Sequence, residues 1–440
     1  MTALGCKLNQ SEAETWARCL AAAGCDIVEH PADADLCIVN TCTVTHVAAR
    51  KSRQLIRRCA HEQARAQVLV TGCFAEISPA ETARLPGVTC VLGMSDKERA
   101  VENAARLLGL SQGVLPRPAA WWGLDSIEPN AEKSIPPTMP GMHTRAFVKI
   151  QDGCNNACTY CIVRIARGPQ RSRSTVEILE EILDRQRQGY QEVVLTGVHI
   201  GAYGRDSGET LADLVRNILD KTCFPRLRLT SIEPWDLSPQ LLRLWGDPRM
   251  CRHLHLPLQS GCDATLLRMG RRYTTAQYRD LVERASAAIP DLAVTTDVIV
   301  GFPGEDEREF AASAEFVTGI GFARIHVFPF SARPGTAAVS MPGQVSPPAK
   351  KMRARHMSSI ALQSSIEFHR WFLGRTVDVL FESREEGSWS GLTDNYLRVW
   401  AGSRADLTNR ILPVYVLEAA PKCLRGELTT DKPYLGGSKP

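Results

Sequence analysis

Three cysteines lie close together in the segment CNNACTYC, where Cys154, Cys158 and Cys161 form the pattern C-x3-C-x2-C. A loop this short forces the three thiolates to converge. A four-iron cubane needs one ligand per iron, so three cysteines leave one iron open to a substrate or cofactor. A structural zinc site would need a fourth ligand from a distant His or Cys. The spacing therefore favours an iron-sulfur cluster with an open iron.

A second set of cysteines ends predicted strands in the N-terminal region. Cys6 follows a short strand, Cys42 ends LCIVNTC, and Cys73 ends QVLVTGC. The carboxyl ends of strands in an open parallel sheet share one edge, where ligands bind. Three cysteines at that edge could hold another cluster, although each alone would be an ordinary buried thiol.

Composition excludes several other classes of protein. The chain has 440 residues, 44% of them hydrophobic and 23% charged, which excludes wholesale disorder. It contains no apolar run long enough to cross a membrane and no secretory signal, so we expect a cytoplasmic protein with no membrane contact. The odd number of cysteines, fifteen, argues against a disulfide framework in such a protein.

Periodicity divides the chain into α/β, α/β and all-β parts. Residues 1–110 alternate strand and helix patterns, which predicts a small open α/β domain, and the proline-rich segment 111–143 is typical of a linker. Residues 144–373 contain six strand signals, which favour a partial (βα)6 barrel because a full barrel usually needs about 250 residues. Its predicted strands are RAFVKIQ, QEVVLTG, RLRLTSIE, HLHLPLQ, LAVTTDVIVG and ARIHVFPF.

Two finer predictions concern the remaining segments. The helix after Ser174 is expected to bury Val176, Leu179 and Leu183 on one face. Residues 374–440 alternate in strand fashion, which predicts a small OB-like β-barrel followed by a disordered tail, DKPYLGGSKP.

Positive charge is concentrated locally, since the whole chain carries only +4. Residues 45–65 hold six basic residues and one acidic residue, typical of a phosphate-binding helix or of a solvated helix face. The C-terminal segment has nine basic and nine acidic residues, so its aromatic side chains Trp389, Tyr396 and Trp400 would either stack on RNA bases or belong to the core. The arginines predicted to contact RNA are Arg53, Arg57, Arg58, Arg167 and Arg171.

The CNNACTYC loop resembles that of the radical S-adenosylmethionine (SAM) superfamily, whose three cysteines follow the first strand of a partial barrel. The resemblance implies that SAM binds the open iron and that the reduced cluster cleaves it to a 5′-deoxyadenosyl radical. Tyr160 matches an aromatic residue that packs near the adenine of SAM. Further residues are expected to bind SAM because they lie near the carboxyl ends of barrel strands: Thr196, Gly197, Glu233, Gln259, Asp297 and Gly301.

The motifs LGCKLNQSE, NTCTVTHVAARKSRQ, TGC, IQDGCNNACTYCIV and GLTDNYLRV together resemble the radical SAM methylthiotransferases along essentially the whole chain. The resemblance implies two [4Fe-4S] clusters and SAM as cofactors, with the auxiliary cluster on Cys6, Cys42 and Cys73. It also implies a C-terminal TRAM domain, an electron donor such as flavodoxin or ferredoxin, and the anticodon stem-loop of tRNA as substrate. We expect the protein to be a monomer.

Lys7 and Thr43 favour the branch of this family that acts on N6-threonylcarbamoyladenosine next to the anticodon. The isopentenyladenosine branch typically reads GCQMN and NTCSVR at these points, and the ribosomal-protein branch reads GCPKN. Both remain alternatives, as does a non-catalytic RNA-binding protein stabilised by metal. The sequence departs from the family at Arg164, where proline is usual, and at Cys262, where serine is usual. Neither position is an expected cluster ligand.

Overall fold

The computed structural model describes residues 1–62, 65–110 and 144–429. The predicted linker and the tail DKPYLGGSKP lie outside the described residues. Within them, an open α/β sheet, a partial barrel and a small closed β-barrel follow one another along the chain. The predicted fold class is confirmed.

A four-stranded parallel sheet forms the N-terminal part, in the order β1-β2-β3-β4. Both faces are covered, because Ile38 and Leu69 belong to one apolar cluster while Val39 and Val70 belong to another. This explains the continuous apolar runs of the central strands. The strands are β1 (Thr2–Ala3), β2 (Leu36–Thr41), β3 (Gln67–Gly72) and β4 (Val88–Val91). The helices are α1 (Lys7–Ala22), α2 (His46–Glu62), α3 (Cys73–Ile77), α4 (Pro79–Ala83) and α5 (Ala100–Leu107).

Six parallel strands form the partial barrel as two three-stranded sheets, β5-β8-β9 and β10-β11-β12. Bridges from Leu227 to Met250 and from Ser231 to His255 join the sheets. In the described chain β5 and β12 do not pair, so the barrel is open on one side. The strands of this part are β5 (Ala146–Lys149), β6 (Gln151–Asp152), β7 (Arg171–Ser172), β8 (Glu192–Thr196), β9 (Arg226–Leu229), β10 (His253–His255), β11 (Ala293–Val300) and β12 (Arg324–Pro329).

Crossover helices cover the outside of this barrel. They are α6 (Val163–Arg167), α7 (Thr175–Arg187), α8 (Leu211–Lys221), α9 (Pro239–Leu242), α10 (Asp263–Arg268), α11 (Thr275–Ala288), α12 (Glu307–Ile320) and α13 (Pro347–Arg370). Helix α7 begins with a capping box between Ser174 and Glu177. Its buried face carries Ile178 and Ile182, whereas Val176 is 60% exposed. The prediction of a helix is confirmed, and Leu179 of the predicted face is buried with Leu183 partly buried, but Val176 was wrong because it lies in the first turn, on the solvent side.

The interior of the partial barrel is charged. Leu227 and Leu229 pack outward into the apolar core, so the alternating residues Arg226 and Arg228 point inward. Arg228 is fully buried and donates from Nε to the Glu192 carboxylate at 2.6 Å. Pairing of this kind is what makes a buried guanidinium tolerable.

A closed five-stranded barrel forms the C-terminal part, in the order β13-β14-β15-β17-β16. Its strands are β13 (Thr376–Glu385), β14 (Ser388–Thr393), β15 (Arg398–Gly402), β16 (Ile411–Ala420) and β17 (Cys423–Leu428). The last strand was not predicted, because CLRGEL has little of the apolar alternation by which strands are recognised. Trp389 lies in the core of this barrel and so is not a base-stacking residue.

The small barrel closes the amino-terminal end of the partial barrel. Arg226 donates to the carbonyl oxygens of Leu392 at 2.9 Å and Asp378 at 2.7 Å, and Arg228 donates to that of Asp394 at 2.8 Å. The arginines inside one barrel are therefore satisfied by the backbone of the other. No helix in the described ranges is long and apolar enough to cross a membrane.

Closure of the small barrel requires glycine at position 391. A Cβ atom there would lie 2.3 Å from the carbonyl oxygen of Leu380, a backbone atom that cannot rotate away. We expect Gly391→Ala to lower the free energy of local unfolding of β13 and β14 by about 1 to 3 kcal/mol. Hydrogen exchange of the strand amides in the full-length protein measures this.

Gly402→Ala is the matched control on the next strand, because no described atom lies within 4 Å of a Cβ placed there. Equal loss of amide protection in the two variants would contradict the steric argument.

Candidate active site

The three-cysteine loop follows β5 and β6 and is fixed by backbone contacts on both sides. The Cys154 amide donates to the carbonyl oxygen of Gly168 at 3.1 Å. Gly153 has φ +68°, and a Cβ there would lie 1.9 Å from the carbonyl oxygen of Pro169. Only glycine allows this approach, so the loop begins at a position that the fold dictates.

Two thiols of this loop accept hydrogen bonds from N–H donors. The Asn156 amide donates to Cys154 Sγ at 3.4 Å, and Arg271 Nη1 donates to Cys158 Sγ at 3.7 Å. The thiol of Cys161 interacts electrostatically with those of Cys158 and Cys154. Donors directed at sulfur favour thiolates over thiols.

Burial opposes ionisation of two thiols of this loop, those of Cys158 and Cys161. It raises the pKa of Cys161 to about 12, with only a partial opposing effect from the hydrogen bond of the Val163 amide. It also raises the pKa of Cys158 despite the neighbouring Arg271. Metal binding must therefore displace protons at this site, as it does wherever thiolates are ligands.

The loop lies at the carboxyl end of the partial barrel, where five of the six predicted SAM-binding residues are also located. Thr196 ends β8, and Gln259 forms a bridge to Val298 with its backbone at φ +67°. Glu233 follows β9 and forms an ion pair with Arg271, the arginine that contacts Cys158. Adjacent to these strand ends are Gly197 and Gly301.

Asp297 lies deeper than the other predicted residues. It is inside β11 and three residues before the end of that strand, with its carboxylate 3.4 Å from His255 Nε2. Tyr160 packs edge-on against Phe302, with ring centroids 6.4 Å apart. The roles of all these residues in SAM binding remain predictions.

Sequence reasoning missed a histidine at this site. His199 Nδ1 lies 3.8 Å from Cys154 Sγ, and its Nε2 lies 2.5 Å from the buried carboxylate of Asp236. Burial alone would lower the pKa of His199, but hydrogen bonds with Asp236 and Cys154 raise it to about 9. The only signal in the sequence is the position of His199 just after the strand QEVVLTG.

The second set of cysteines comes together at one edge of the N-terminal sheet. Cys6, Cys42 and Cys73 follow the neighbouring strands β1, β2 and β3, and their thiols interact electrostatically with one another. Gly5 has φ +98°, and a Cβ there would lie 2.7 Å from Cys42 Sγ. Burial raises the pKa of Cys42 to about 11, so this thiol too must lose a proton to bind metal.

Arg167 connects the two sets of cysteines. Its Nη1 donates to Asp152 at 2.8 Å, just before Cys154, and its Nη2 donates to Asn9 at 2.6 Å, just after Cys6. The prediction that Arg167 contacts RNA was wrong, because its side chain is only 2% exposed. Asn9 was not singled out from the sequence, although it lies in the motif LGCKLNQSE.

Carboxylates and lysines complete this connection. Glu12 pairs with Lys97 at 2.5 Å and with Lys149 at 3.1 Å, and Lys149 also pairs with Asp152 at 2.7 Å. We call Glu12, Lys97, Lys149, Asp152 and Arg167 the buried ion network. Its members come from both sides of the contact between the N-terminal sheet and the partial barrel.

A further contact places the N-terminal part against the open side of the barrel. Arg333, after β12, donates to Thr43 Oγ1 at 2.6 Å and lies 3.2 Å from His46 Nδ1. Thr43, which favoured one branch of the family in the sequence, thus contacts the barrel. Of the two departures from the family, Arg164 is exposed, and the Cys262 amide, just before α10, donates to Ser260 Oγ at 3.3 Å.

The other predicted RNA-binding arginines are at the surface to different degrees. Arg57 and Arg171 are exposed. Arg53 pairs with Glu81 at 3.3 Å with its side chain 30% exposed, and Arg58 pairs with Glu62 at 3.2 Å. Exposed pairs of this kind are weak and can exchange partners with phosphate.

Both sets of cysteines fit iron-sulfur clusters better than single ions. Each offers three sulfur donors, which suit iron-sulfur clusters. No group of three His, Cys, Asp or Glu side chains in the part of the chain that the structure describes is placed to hold one metal ion.

A partial α/β barrel with a three-cysteine loop after its first strand defines a radical SAM enzyme. A profile of the Radical SAM superfamily matches residues 148–317, and a profile described as Uncharacterized protein family UPF0004 matches residues 1–93. The solved structure of the radical SAM methyltransferase TsrM from Kitasatospora setae covers 71% of this chain and 67% of its own. Its TM-score is 0.51 at 17% identity, a likeness of fold alone.

Curated relatives match nearly the whole chain. Threonylcarbamoyladenosine tRNA methylthiotransferase MtaB of Thermotoga maritima is 37% identical over 90% of this chain and 89% of its own length. The protein of the same name from Bacillus subtilis is 35% identical over 94% and 93%. The tRNA-2-methylthio-N(6)-dimethylallyladenosine synthase of Nitratidesulfovibrio vulgaris is 33% identical over 96% of each chain. The chain belongs to the radical SAM methylthiotransferase family, whose members use SAM and two [4Fe-4S] clusters.

The loop cysteines should be indispensable for SAM cleavage. We expect Cys154→Ala, Cys158→Ala or Cys161→Ala to abolish formation of 5′-deoxyadenosine, because each removes a ligand of the cluster in the partial barrel, to which SAM is expected to bind. The measurement is the yield of 5′-deoxyadenosine with dithionite as reductant. Cys223→Ala, at an exposed cysteine on the outside of the barrel, is the control. Appreciable product from any loop variant would exclude this ligand assignment.

Proposed function

We propose that the protein inserts a methylthio group at C2 of N6-threonylcarbamoyladenosine next to the anticodon of tRNA. The observation that carries the proposal is the position of Arg167, which contacts Asp152 in front of one cysteine set and Asn9 behind the other. A reaction that combines radical chemistry with sulfur insertion needs two such sites beside one substrate.

The relatives support this choice of substrate. Two of these relatives, 37% and 35% identical to this chain, are named as threonylcarbamoyladenosine enzymes. The relative named for dimethylallyladenosine matches at 33%, so the isopentenyladenosine reaction is the competing outcome of the test.

The cofactors would supply a carbon radical at the three-cysteine loop and sulfur at the other cysteine set, which no side chain can provide. The chain's own residues would bind these cofactors and orient them. Cys154, Cys158 and Cys161 would hold one cluster, and Cys6, Cys42 and Cys73 would hold the other. The buried ion network fixes the distance between the two loops, because its charges are satisfied only while both sides remain in contact.

The substrate would approach from the side on which the barrel is open. The basic face of α2 starts beside the contact between Arg333 and Thr43, so tRNA phosphates bound there would lie next to the opening. We further infer that the protein works as a cytoplasmic monomer and draws electrons from flavodoxin or ferredoxin.

Nucleoside mass spectrometry tests the proposal directly. The reconstituted enzyme, supplied with SAM and reductant, should methylthiolate tRNA that carries threonylcarbamoyladenosine and fail on the unmodified transcript. Product on isopentenylated tRNA or on a ribosomal protein, without product on the first substrate, would identify another branch of the family. Zinc in place of about eight irons would favour the non-catalytic alternative.

A division of labour between the two cysteine sets is expected. The variant Cys6→Ala/Cys42→Ala/Cys73→Ala should bind about half the wild-type iron, because one of two four-iron sites is lost. It should still form 5′-deoxyadenosine but no methylthio product. Iron counting and product analysis on the same preparation measure both. Retained methylthio product would refute the assignment of the second site.

The basic helix should contribute to tRNA affinity through phosphates. We expect Arg53→Gln/Arg57→Gln/Arg58→Gln to weaken tRNA binding and to flatten its salt dependence, because each lost phosphate contact reduces the slope of log K against log salt by roughly 0.7 to 0.9. Titrations at several salt concentrations measure the slope.

Three exposed arginines on helices α7, α11 and α12 provide a control with the same change of charge: Arg187, Arg284 and Arg308. If their triple substitution by Gln flattens the slope equally, the effect reflects net charge and not a site on α2.

A further inference from the structure

Five side chains meet inside the partial barrel, around the ring of Tyr396. Lys7 Nζ lies 4.8 Å from the centre of this ring, as does the guanidinium carbon of Arg228, and the Arg145 guanidinium lies at 5.6 Å. His253 stacks on the ring, with centroids 4.7 Å apart. We call these five residues the lumen floor.

All three parts of the chain contribute to the lumen floor. Lys7 begins α1 of the N-terminal part, Arg145 and His253 come from the partial barrel, and Tyr396 follows β14 of the small barrel. Tyr396 has φ +69°, an uncommon conformation for a residue with a side chain. Its hydrogen-bonded turn within the small barrel holds the ring against the cations.

The cations of the lumen floor differ in how well they are neutralised. Arg228 forms a bidentate pair with Glu192 at 2.6 and 3.2 Å, and Arg145 Nε donates to Glu382 at 2.7 Å. Lys7 hydrogen-bonds the Tyr396 side chain but forms no ion pair with any carboxylate in the described part of the chain. A partly buried ammonium without an anion is costly unless another group supplies the negative charge.

Two more hydrogen-bonding groups at the same place lack partners among the described residues. They are Nη1 of Arg145 and Nδ1 of His253. These two residues are only 7% and 3% exposed. Buried polar groups are satisfied in the great majority of structures, so two orphans beside a lysine that lacks a carboxylate partner point to a ligand.

The electrostatic effect of the lumen floor on Tyr396 agrees with an anionic ligand at this place. Burial alone would raise the pKa of the phenol, but Lys7, Arg145 and Arg228 lower it to about 7. The lumen floor therefore favours a negative charge placed against it.

Two residues of the lumen floor are partly accessible to solvent. Lys7 and Tyr396 are both partly exposed, and Ser11 of α1 donates to the Phe147 carbonyl oxygen at 2.9 Å, which fastens α1 to the edge strand β5. Lys7 directly follows Cys6, so the lumen floor and the second cysteine set share one stretch of chain.

We propose that the lumen floor binds the carboxylate of the threonyl group, with Lys7 as its ion-pair partner and Arg145 as a hydrogen-bond donor. This inference rests on the proposed function, and it names the residues that select the substrate. A guanidinium and an ammonium together bind a carboxylate well, because its two oxygens can accept from both groups. An apolar isopentenyl group would leave Lys7 unpaired and would be rejected for that reason.

Two of the arginines that follow Cys161 are already paired within the protein. Arg167 is committed to Asp152 and Asn9, and Arg173 to Glu181 at 2.7 Å. Neither is available to a substrate.

The test measures the affinity of the reconstituted full-length enzyme for three forms of one anticodon stem-loop RNA by fluorescence anisotropy. The first carries threonylcarbamoyladenosine, the second carries its neutral methyl ester, and the third carries unmodified adenosine. The wild type should bind the acid roughly 10- to 100-fold more tightly than the ester, the range expected for hydrogen bonds to a charged group. Lys7→Gln should bind the acid and the ester equally.

Lys221→Gln is the matched control, since Lys221 is exposed at the end of α8 on the outside of the barrel, and it should keep the wild-type preference. Arg145→Lys is a second variant, because Arg145 does not adjoin a cysteine as Lys7 does. It keeps the charge, loses the planar fork, and should bind the acid less selectively than the wild type. Iron content shows whether Lys7→Gln retains both clusters.

An unchanged preference for the acid over the ester in both Lys7→Gln and Arg145→Lys would overturn the inference. A wild type that methylthiolates the threonylcarbamoylated tRNA but binds acid and ester equally would also overturn it, while the proposed function would stand. A wild type that makes no product and binds all three RNAs equally would instead refute the proposed function.

Discussion

A buried arginine between two cysteine loops is the constraint on which the rest of the structure depends. Arg167 is charged and almost inaccessible, so it must stay paired, and its partners Asp152 and Asn9 belong to different parts of the chain. Separating the N-terminal sheet from the barrel would leave the charges of the buried ion network without their partners. The relative position of the two candidate cluster sites is thus maintained by the electrostatic cost of any other arrangement. Apolar packing alone would specify this orientation less strictly.

Much of the fold and both sets of cysteines could be predicted from the sequence, for reasons that are local. The loop that contains Cys154, Cys158 and Cys161 is so short that it must bring the three thiols close together. The strands before Cys42 and Cys73 are apolar runs buried on both faces, and parallel strands place their carboxyl ends on one edge. In each case a residue type and a period carry the information.

The remaining features depend on partners that are distant in sequence. Arg167 was expected at the surface, because nothing in the segment around it shows that Asn9 would lie opposite. Helix α7 was recognised by its period, but the sheet that it covers decides which face is buried, and Val176 fell on the other side. Lys7 was noticed only as a mark of one family branch, since its position above Tyr396 results from the docking of the two outer parts.

The lumen floor also bears on how such enzymes diversify. Its residues are contributed by three parts of the chain, and the small barrel is held in place by the same arginines, Arg226 and Arg228, that line the lumen. A transplanted C-terminal barrel would bring a new residue to the position of Tyr396 while the lysine and arginines opposite stayed behind. Modular exchange of domains is therefore a poor route to new substrates here, and divergence must proceed by concerted substitution across all three parts.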